Sequence, residues 1–168
     1  VSTVTKTAID GGYKCTCTSP TLKDGSHTIS VKASDNDGNV AAAKTATFTV
    51  DTVPPTLQIT APSNDLITNK KTVTVSGKTD DVSSKPVTVT VSGVTVTVGT
   101  DGTFTKDVTL VEGANTITIV AKDKAGKTTT VTRKVTVDTS APVIKSVTLT
   151  PNPVDCGKTF IIAVEITD

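Results

Sequence analysis

Tryptophan and methionine are absent from the 168 residues, and aromatics amount to 2%: Tyr13, Phe48, Phe104 and Phe160. Sugar-binding platforms normally present several exposed rings, and here only Tyr13 is expected to be exposed, the three Phe standing at core-like positions. Charge of one sign is also missing, since 17 Lys and Arg face 16 Asp and Glu for a net charge of +1. A nucleic-acid binder held by phosphate contacts carries a large basic excess, so that class is excluded. A single histidine, His27, leaves no Ser, Cys or carboxylate pair with a positioned imidazole, and no glycine-rich phosphate loop occurs. An enzyme is therefore not expected. Three cysteines are too few for a disulfide framework, and Cys15-x-Cys17 with Cys156 far away lacks zinc-ligand spacing. No apolar run approaches the roughly 18 residues that span a bilayer, and no signal-peptide pattern opens the chain. It starts at Val1 in strand-like text, which fits a mature or excised piece of a longer exported precursor.

What the chain does have is threonine and valine, roughly one residue in five and one in seven, a β-branched bias that favours pleated strands. An all-β protein follows. Alternation at period 2 is plain in Thr72-Val-Thr-Val75, Val87-Thr-Val-Thr-Val91, Val94-Thr-Val-Thr-Val98 and Thr116-Ile-Thr-Ile119, which sets aliphatic side chains on one face and threonine on the other. Ser92-Gly93, Thr100-Asp-Gly102, Glu112-Gly113 and Lys124-Ala-Gly126 mark the turns.

The organisation is set by an internal repeat. Asp24-Gly-Ser-His-Thr-Ile-Ser-Val-Lys-Ala-Ser-Asp-Asn-Asp-Gly-Asn39 aligns without a gap on Glu112-Gly-Ala-Asn-Thr-Ile-Thr-Ile-Val-Ala-Lys-Asp-Lys-Ala-Gly-Lys127, 88 positions on, and Phe48-Thr-Val-Asp-Thr-Val-Pro-Pro55 aligns on Val135-Thr-Val-Asp-Thr-Ser-Ala-Pro142 at 87. Solenoid units are about 20 to 50 residues long, so a period near 90 suits one β-sandwich per repeat. Val53-Pro-Pro55 and Ala141-Pro142 remove ladder donors where one strand series stops and the next begins. Three units follow: residues 1–51 with the last four strands of a sandwich, residues 52–138 with a complete one of about seven strands, and residues 139–168 with the first two. The seven are expected at Thr56–Thr60, Lys71–Lys78, Pro86–Val91, Val94–Val98, Thr103–Leu110, Asn115–Lys122 and Thr128–Val137.

These residues resemble bacterial immunoglobulin-like domains of the Big and glucodextranase type, tandem β-sandwiches of secreted and surface proteins. The resemblance is carried by Pro55-Thr-Leu-Gln-Ile-Thr-Ala-Pro62, Val73-Thr-Val-Ser-Gly77, Asp101-Gly-Thr-Phe104, the stretch from Leu110 to Gly126, and Val135-Thr-Val-Asp-Thr139. It implies a scaffold that serves as spacer, stalk, adhesive module or enzyme accessory. The antibody Cys…Trp…Cys pattern and a corner tyrosine before Lys122 are missing. In some similar surface domains Lys–Asn isopeptide links occur, which would draw on Lys71, Lys78 or Lys158.

Truncated sandwiches leave strand edges and inner faces open, and something must cover them. Either the segment belongs to a longer tandem chain, or the two C-terminal strands of one subunit complete the N-terminal partial sandwich of the next, a heterologous contact that propagates as a filament. In the second case Cys156 is placed to bond Cys15 or Cys17 of a neighbour, whereas a Cys15–Cys17 bridge along one strand is disfavoured. Asp35-Asn-Asp-Gly-Asn39 offers hard oxygens from Asp35, Asp37 and Asn39 to a calcium ion, against the reading of a plain hairpin. Asp51 and Asp138, at the junctions, either cap strand ends or add calcium ligands between domains. His27 corresponds to Asn115 and is expected to be an exposed polar strand position. The reading is a secreted or cell-surface, non-enzymatic structural protein, a spacer, stalk or filament subunit whose partners are flanking Ig-like domains or copies of itself. The alternative is an adhesin or a glycan-binding accessory module of a secreted enzyme.

Overall fold

The structure, a computed structural model, describes residues 4–150, 152–153 and 156–168. Four strands come first: β1 (Val4–Ile9), β2 (Gly12–Cys17), β3 (Gly25–Val31) and β4 (Lys44–Val50). Eight follow: β5 (Thr56–Ala61), β6 (Leu66–Thr68), β7 (Thr72–Asp80), β8 (Thr88–Val91), β9 (Val94–Val96), β10 (Thr103–Thr109), β11 (Gly113–Lys122) and β12 (Thr128–Val137). The last two are β13 (Val143–Thr150) and β14 (Ile161–Thr167). No helix occurs among the described residues, so none is long and apolar enough to cross a membrane.

Strands β5 to β12 build two sheets, β10-β7-β5 and β6-β12-β11-β8-β9. Their facing sides meet in one core. The aliphatic members of the alternating runs supply it: Val73 and Val75 of β7, Val89 and Val91 of β8, Val96 of β9, Ile117 and Ile119 of β11, and Val135 and Val137 of β12. Phe104 on β10 is the single ring among them. It lies across Gly77, where a Cβ would come within 2.5 Å of the Gln58 carbonyl oxygen and 2.8 Å of the Phe104 ring. A side chain at 77 is therefore incompatible with the close approach of β5 and the ring.

Strand β6 was not among the seven expected. It is only three residues long, and Pro62 and the left-handed Asp65 (φ 58°) interrupt the alternation that would reveal it. It pairs in parallel with β12, Leu66 opposite Val135 and Thr68 opposite Val137. The contact extends along the whole of β12. Thr129 Oγ1 donates to the Pro55 carbonyl (2.5 Å), the Arg133 guanidinium to the carbonyls of Ile59 (3.3 Å) and Pro62 (3.1 Å), and Lys134 N to Asn64 Oδ1 (3.0 Å). The segment entering the sandwich and the strand leaving it thus run side by side in the same direction.

The flanking strands form two-stranded sheets: β1-β2, β3-β4 and β13-β14. The pairing of β3 with β4 and of β13 with β14 repeats that of β11 with β12 and of β5 with β7. In contrast, β1 and β2 pair with each other, although their repeat counterparts β9 and β10 lie in opposite sheets. With no strands equivalent to β7 and β8 beside them, the two ladders satisfy one another. Without an opposing sheet, Phe48 and Phe160 are 37% and 49% exposed. This corrects the expectation that all three Phe are core residues; only Phe104 is.

Candidate metal centre

Each junction carries the text Val-Asp-Thr, and the two residues after Val point in different directions. Thr52 Oγ1 donates to both carboxylate oxygens of Asp24 (3.0 and 2.8 Å). At the equivalent position Thr139 donates from N and Oγ1 to Glu112 Oε1 (2.9 Å) and Oε2 (2.8 Å). The threonine ties the departing chain back to the strands it has just left. The Thr139 donors also hold the Glu112 carboxyl below its ordinary value of 4.5.

The aspartate faces the other way. Asp51 Oδ1 accepts from Val53 N (3.1 Å) and weakly from Ser83 Oγ (3.4 Å), a residue of the following sandwich. There it meets two turns. Asp81, next after β7, accepts on Oδ1 from the backbone N–H groups of Ser83 (2.8 Å) and Ser84 (2.7 Å). Asp123, next after β11, accepts on Oδ1 from Lys127 N (2.8 Å) across a turn closed by Gly126 at φ 91°. Ser84 locks the two turns together, its hydroxyl accepting from Ala125 N (2.9 Å) and its carbonyl from Lys124 N (3.2 Å).

One carboxylate oxygen from each of Asp51, Asp81 and Asp123 lies within 4.8 Å of the other two. All three residues are buried, Asp81 and Asp123 at 5% exposure and Asp51 at 9%. Asp51 Oδ2 and Asp123 Oδ2 are buried with no hydrogen-bond partner. Among the described residues the ion pair is Lys85 Nζ with Asp80 Oδ1 (2.8 Å), on the surface, so no lysine or arginine nitrogen lies within 4.0 Å of the three. Unit negative charges 4.8 Å apart repel by about 3 to 4 kcal/mol at an effective dielectric near 20. Oxygen-only donors of this kind suit calcium or magnesium rather than zinc or copper.

Asp35, Asp37 and Asn39 do come together, in an exposed turn. Asp35 Oδ1 accepts from Asp37 N (3.1 Å) and Asn39 N (2.8 Å), and Oδ2 from Asn39 Nδ2 (2.7 Å). These bonds, the Asn39 side chain first, hold the Asp35 carboxyl below its ordinary 3.8. The turn matches that of Asp123, since Asp35 N donates to Asn39 O (3.0 Å) as Asp123 N does to Lys127 O (3.1 Å). Asp138 Oδ1 accepts from Ser140 N (3.0 Å), the capping geometry of Asp51. Cys15, Cys17 and Cys156 are exposed free thiols, and no disulfide joins them. His27 is exposed on β3 and its Nε2 lies 2.7 Å from the Lys23 carbonyl, the role Asn115 Nδ2 plays toward Val111 O (2.8 Å). It closes a turn. Tyr13 is 62% exposed under Lys6 Nζ, 3.8 Å from the ring centroid.

Sequence reasoning missed Asp81 and assigned Asp123 only to a hairpin. The repeat held part of the signal: Asp51 recurs as Asp138 and Asp123 as Asp35, at the two spacings that define the unit.

A two-sheet sandwich with an acidic cluster where the preceding segment meets it defines an immunoglobulin-like module in series with others. The family model for glucodextranase domain B matches residues 55–139, and that for a bacterial Ig-like domain matches residues 1–52. The chain belongs to the glucodextranase domain B family, an immunoglobulin-like fold. It is 32% identical over 140 residues to Bacillopeptidase F of Bacillus subtilis (strain 168), a match covering 83% of this chain and 9% of that protein. The chain thus spans less than a tenth of that relative's length. Among solved structures it is similar to the fibronectin(III)-like modules of Clostridium thermocellum CbhA, with 20% identity, a TM-score of 0.44, and coverage of 76% of this chain and 69% of that one. It is also similar to a tetra-tandem repeat from the extending region of a large adhesion protein, with 21% identity, a TM-score of 0.43, and coverage of 96% and 54%. Asp51 falls in the first matched module, and Asp81 and Asp123 in the second.

Proposed function

We propose that the chain is a non-catalytic spacer or stalk segment of a secreted or cell-surface protein. The observation that carries this is the parallel course of residues 55–68 beside β12. Pro55 lies against Thr129 at one end of the strand and Thr68 against Val137 at the other, so the chain enters and leaves at opposite ends of the sandwich. Ten residues of β12 at about 3.3 Å each separate those ends by roughly 30 Å. Modules joined this way extend the chain, and the Val53-Pro54 link leaves little slack. Small-angle X-ray scattering tests the reading: an elongated particle supports a spacer, and a compact one, with modules folded back on each other, opposes it.

A filament subunit is the finer form of this reading. The β13-β14 hairpin exposes Val147, Leu149, Ile162, Val164 and Ile166, each between 43% and 59%, an apolar face that needs a covering layer. Flanking Ig-like modules or a second copy would supply it, and in a filament Cys156 would bond Cys15 or Cys17 of the neighbour. Filaments seen by electron microscopy that dissolve only with reductant would favour the filament, and separate rods the spacer. The adhesin or glycan-binding alternative rests on Tyr13, the most exposed of the rings, and predicts a glycan-array signal lost in Tyr13→Ala.

A further inference from the structure

We propose that the β13-β14 hairpin of one chain completes the first module of a second copy, with β14 joining the free edge of β2 and its apolar face covering β3-β4. This names the partner and the seam, and it rests on the filament form of the proposed function. The complete sandwich supplies the template. There β7 pairs with β5 on one side and with β10 on the other, and the sheet they form packs on β11-β12. The chain carries the two halves of that arrangement at its two ends. The β13-β14 pair repeats β5-β7, and β3-β4 repeats β11-β12. Strand β2 repeats β10, since Asp10-Gly11 (Gly11 φ 74°) leads into it as Asp101-Gly102 (Gly102 φ 82°) leads into β10. Among the described residues no strand pairs with the second edge of β2 or of β14. On β14 that edge is the one β7 offers to β10.

The faces match as well. Ile117, Ile119 and Val135 are at most 1% exposed under their opposing sheet, whereas their counterparts Ile29, Val31 and Phe48 are 37% to 61% exposed. On β14, Ile162, Val164 and Ile166 are exposed, although they stand at the places of Val75, Gly77 and Thr79, all buried in β7. Carried over from the β10-β7 register, Tyr13 falls opposite Val164 and Cys15 opposite Ile162. Because Val164 replaces Gly77, the Tyr13 ring cannot lie across the sheet as Phe104 does, and it keeps its hydroxyl at the solvent rim. On the outer face Lys14 falls diagonal to Glu165, an opposite-charge pair across the seam. One chain cannot make this contact with itself. The β5–β12 sandwich stands between the two hairpins, and the chain enters and leaves it at ends roughly 30 Å apart. A seam that joins the tail of one chain to the head of the next is heterologous, leaves one donor and one acceptor free at every stage, and grows as a filament. New main-chain hydrogen bonds and covered apolar area drive strand addition of this kind.

The test is sedimentation of the 168-residue chain over a concentration series in reductant, so that no disulfide contributes. The sedimentation coefficient should rise with concentration without a plateau. Ile162→Lys disables the donor face and Ile29→Lys the acceptor face, each at an exposed position outside the β5–β12 sandwich. Each variant alone should sediment as a monomer and keep the melting transition of the sandwich, so a folding defect cannot mimic lost association. An equimolar mixture of the two should form dimers and stop there, because one intact donor meets one intact acceptor and no further pair remains. Non-specific sticking of apolar faces gives no such rescue. An unsubstituted chain that stays monomeric throughout, variants that associate alone, or a mixture that stays monomeric would overturn the proposal and leave the spacer reading standing, the open faces then belonging to flanking modules. A compact monomer in scattering, with dimers still formed on mixing, would instead overturn the spacer reading alone.

Discussion

At the residue scale, the sandwich depends on a missing side chain. Gly77→Ala drives a methyl group against the Gln58 carbonyl and the Phe104 ring, so denaturant unfolding should show a loss of about 1 to 3 kcal/mol. His27→Asn should leave stability nearly unchanged, since Asn115 closes the equivalent turn, whereas His27→Ala removes the bond. Acid acts on the junction through Glu112. Its carboxyl is lowered in the folded chain by Thr139, so this contribution is present above the ordinary 4.5 and is lost as pH falls through the folded value. Melting temperature should drop as pH falls below the ordinary 4.5, and Glu112→Gln should flatten part of that slope. Which residues matter was unevenly legible. Asp51 stood out because the repeat preserves it at a junction, and Asp123 was visible as the counterpart of Asp35. Asp81 was hidden, because Asp-Val-Ser-Ser reads as an ordinary loop.

At the element scale, the long alternating strands were readable because one face of each is buried against an opposing sheet. Ile119 sits fully buried in the middle of β11, and Ile119→Ala should cost about 2 to 5 kcal/mol. Strand β6 was not readable, since three residues after a proline carry no period. What places it is tertiary: the Arg133 guanidinium spans from β12 to the Ile59 and Pro62 carbonyls. Arg133→Ala should destabilise the sandwich by about 1 to 3 kcal/mol, measured by chemical denaturation. The pairing of β1 with β2 also escaped the repeat argument, because it depends on which neighbouring strands are present, a property of the assembled sheet. The same reason explains Phe48 and Phe160, whose sequence positions match core sites but whose hairpins have no opposing layer.

At the scale of the whole molecule, the parallel seam between residues 55–68 and β12 bears on what a spacer must do. Tension applied through the two flanks pulls the incoming segment and the outgoing strand in opposite directions along their length. The seam is then loaded in shear, and its bonds must yield together instead of one by one. The Asp51 contact with Asp81 and Asp123 lies where that load enters, and the Thr139 clamp on Glu112 where it leaves. Pulling single chains held at the two ends tests this most directly. A discrete unfolding step that lengthens the tether by roughly 250 Å, for about 80 residues at about 3.5 Å each less the roughly 30 Å the folded module already spans, is predicted, at a force lowered by Arg133→Ala. Smooth extension at low force with no resolved step would contradict a role in carrying tension.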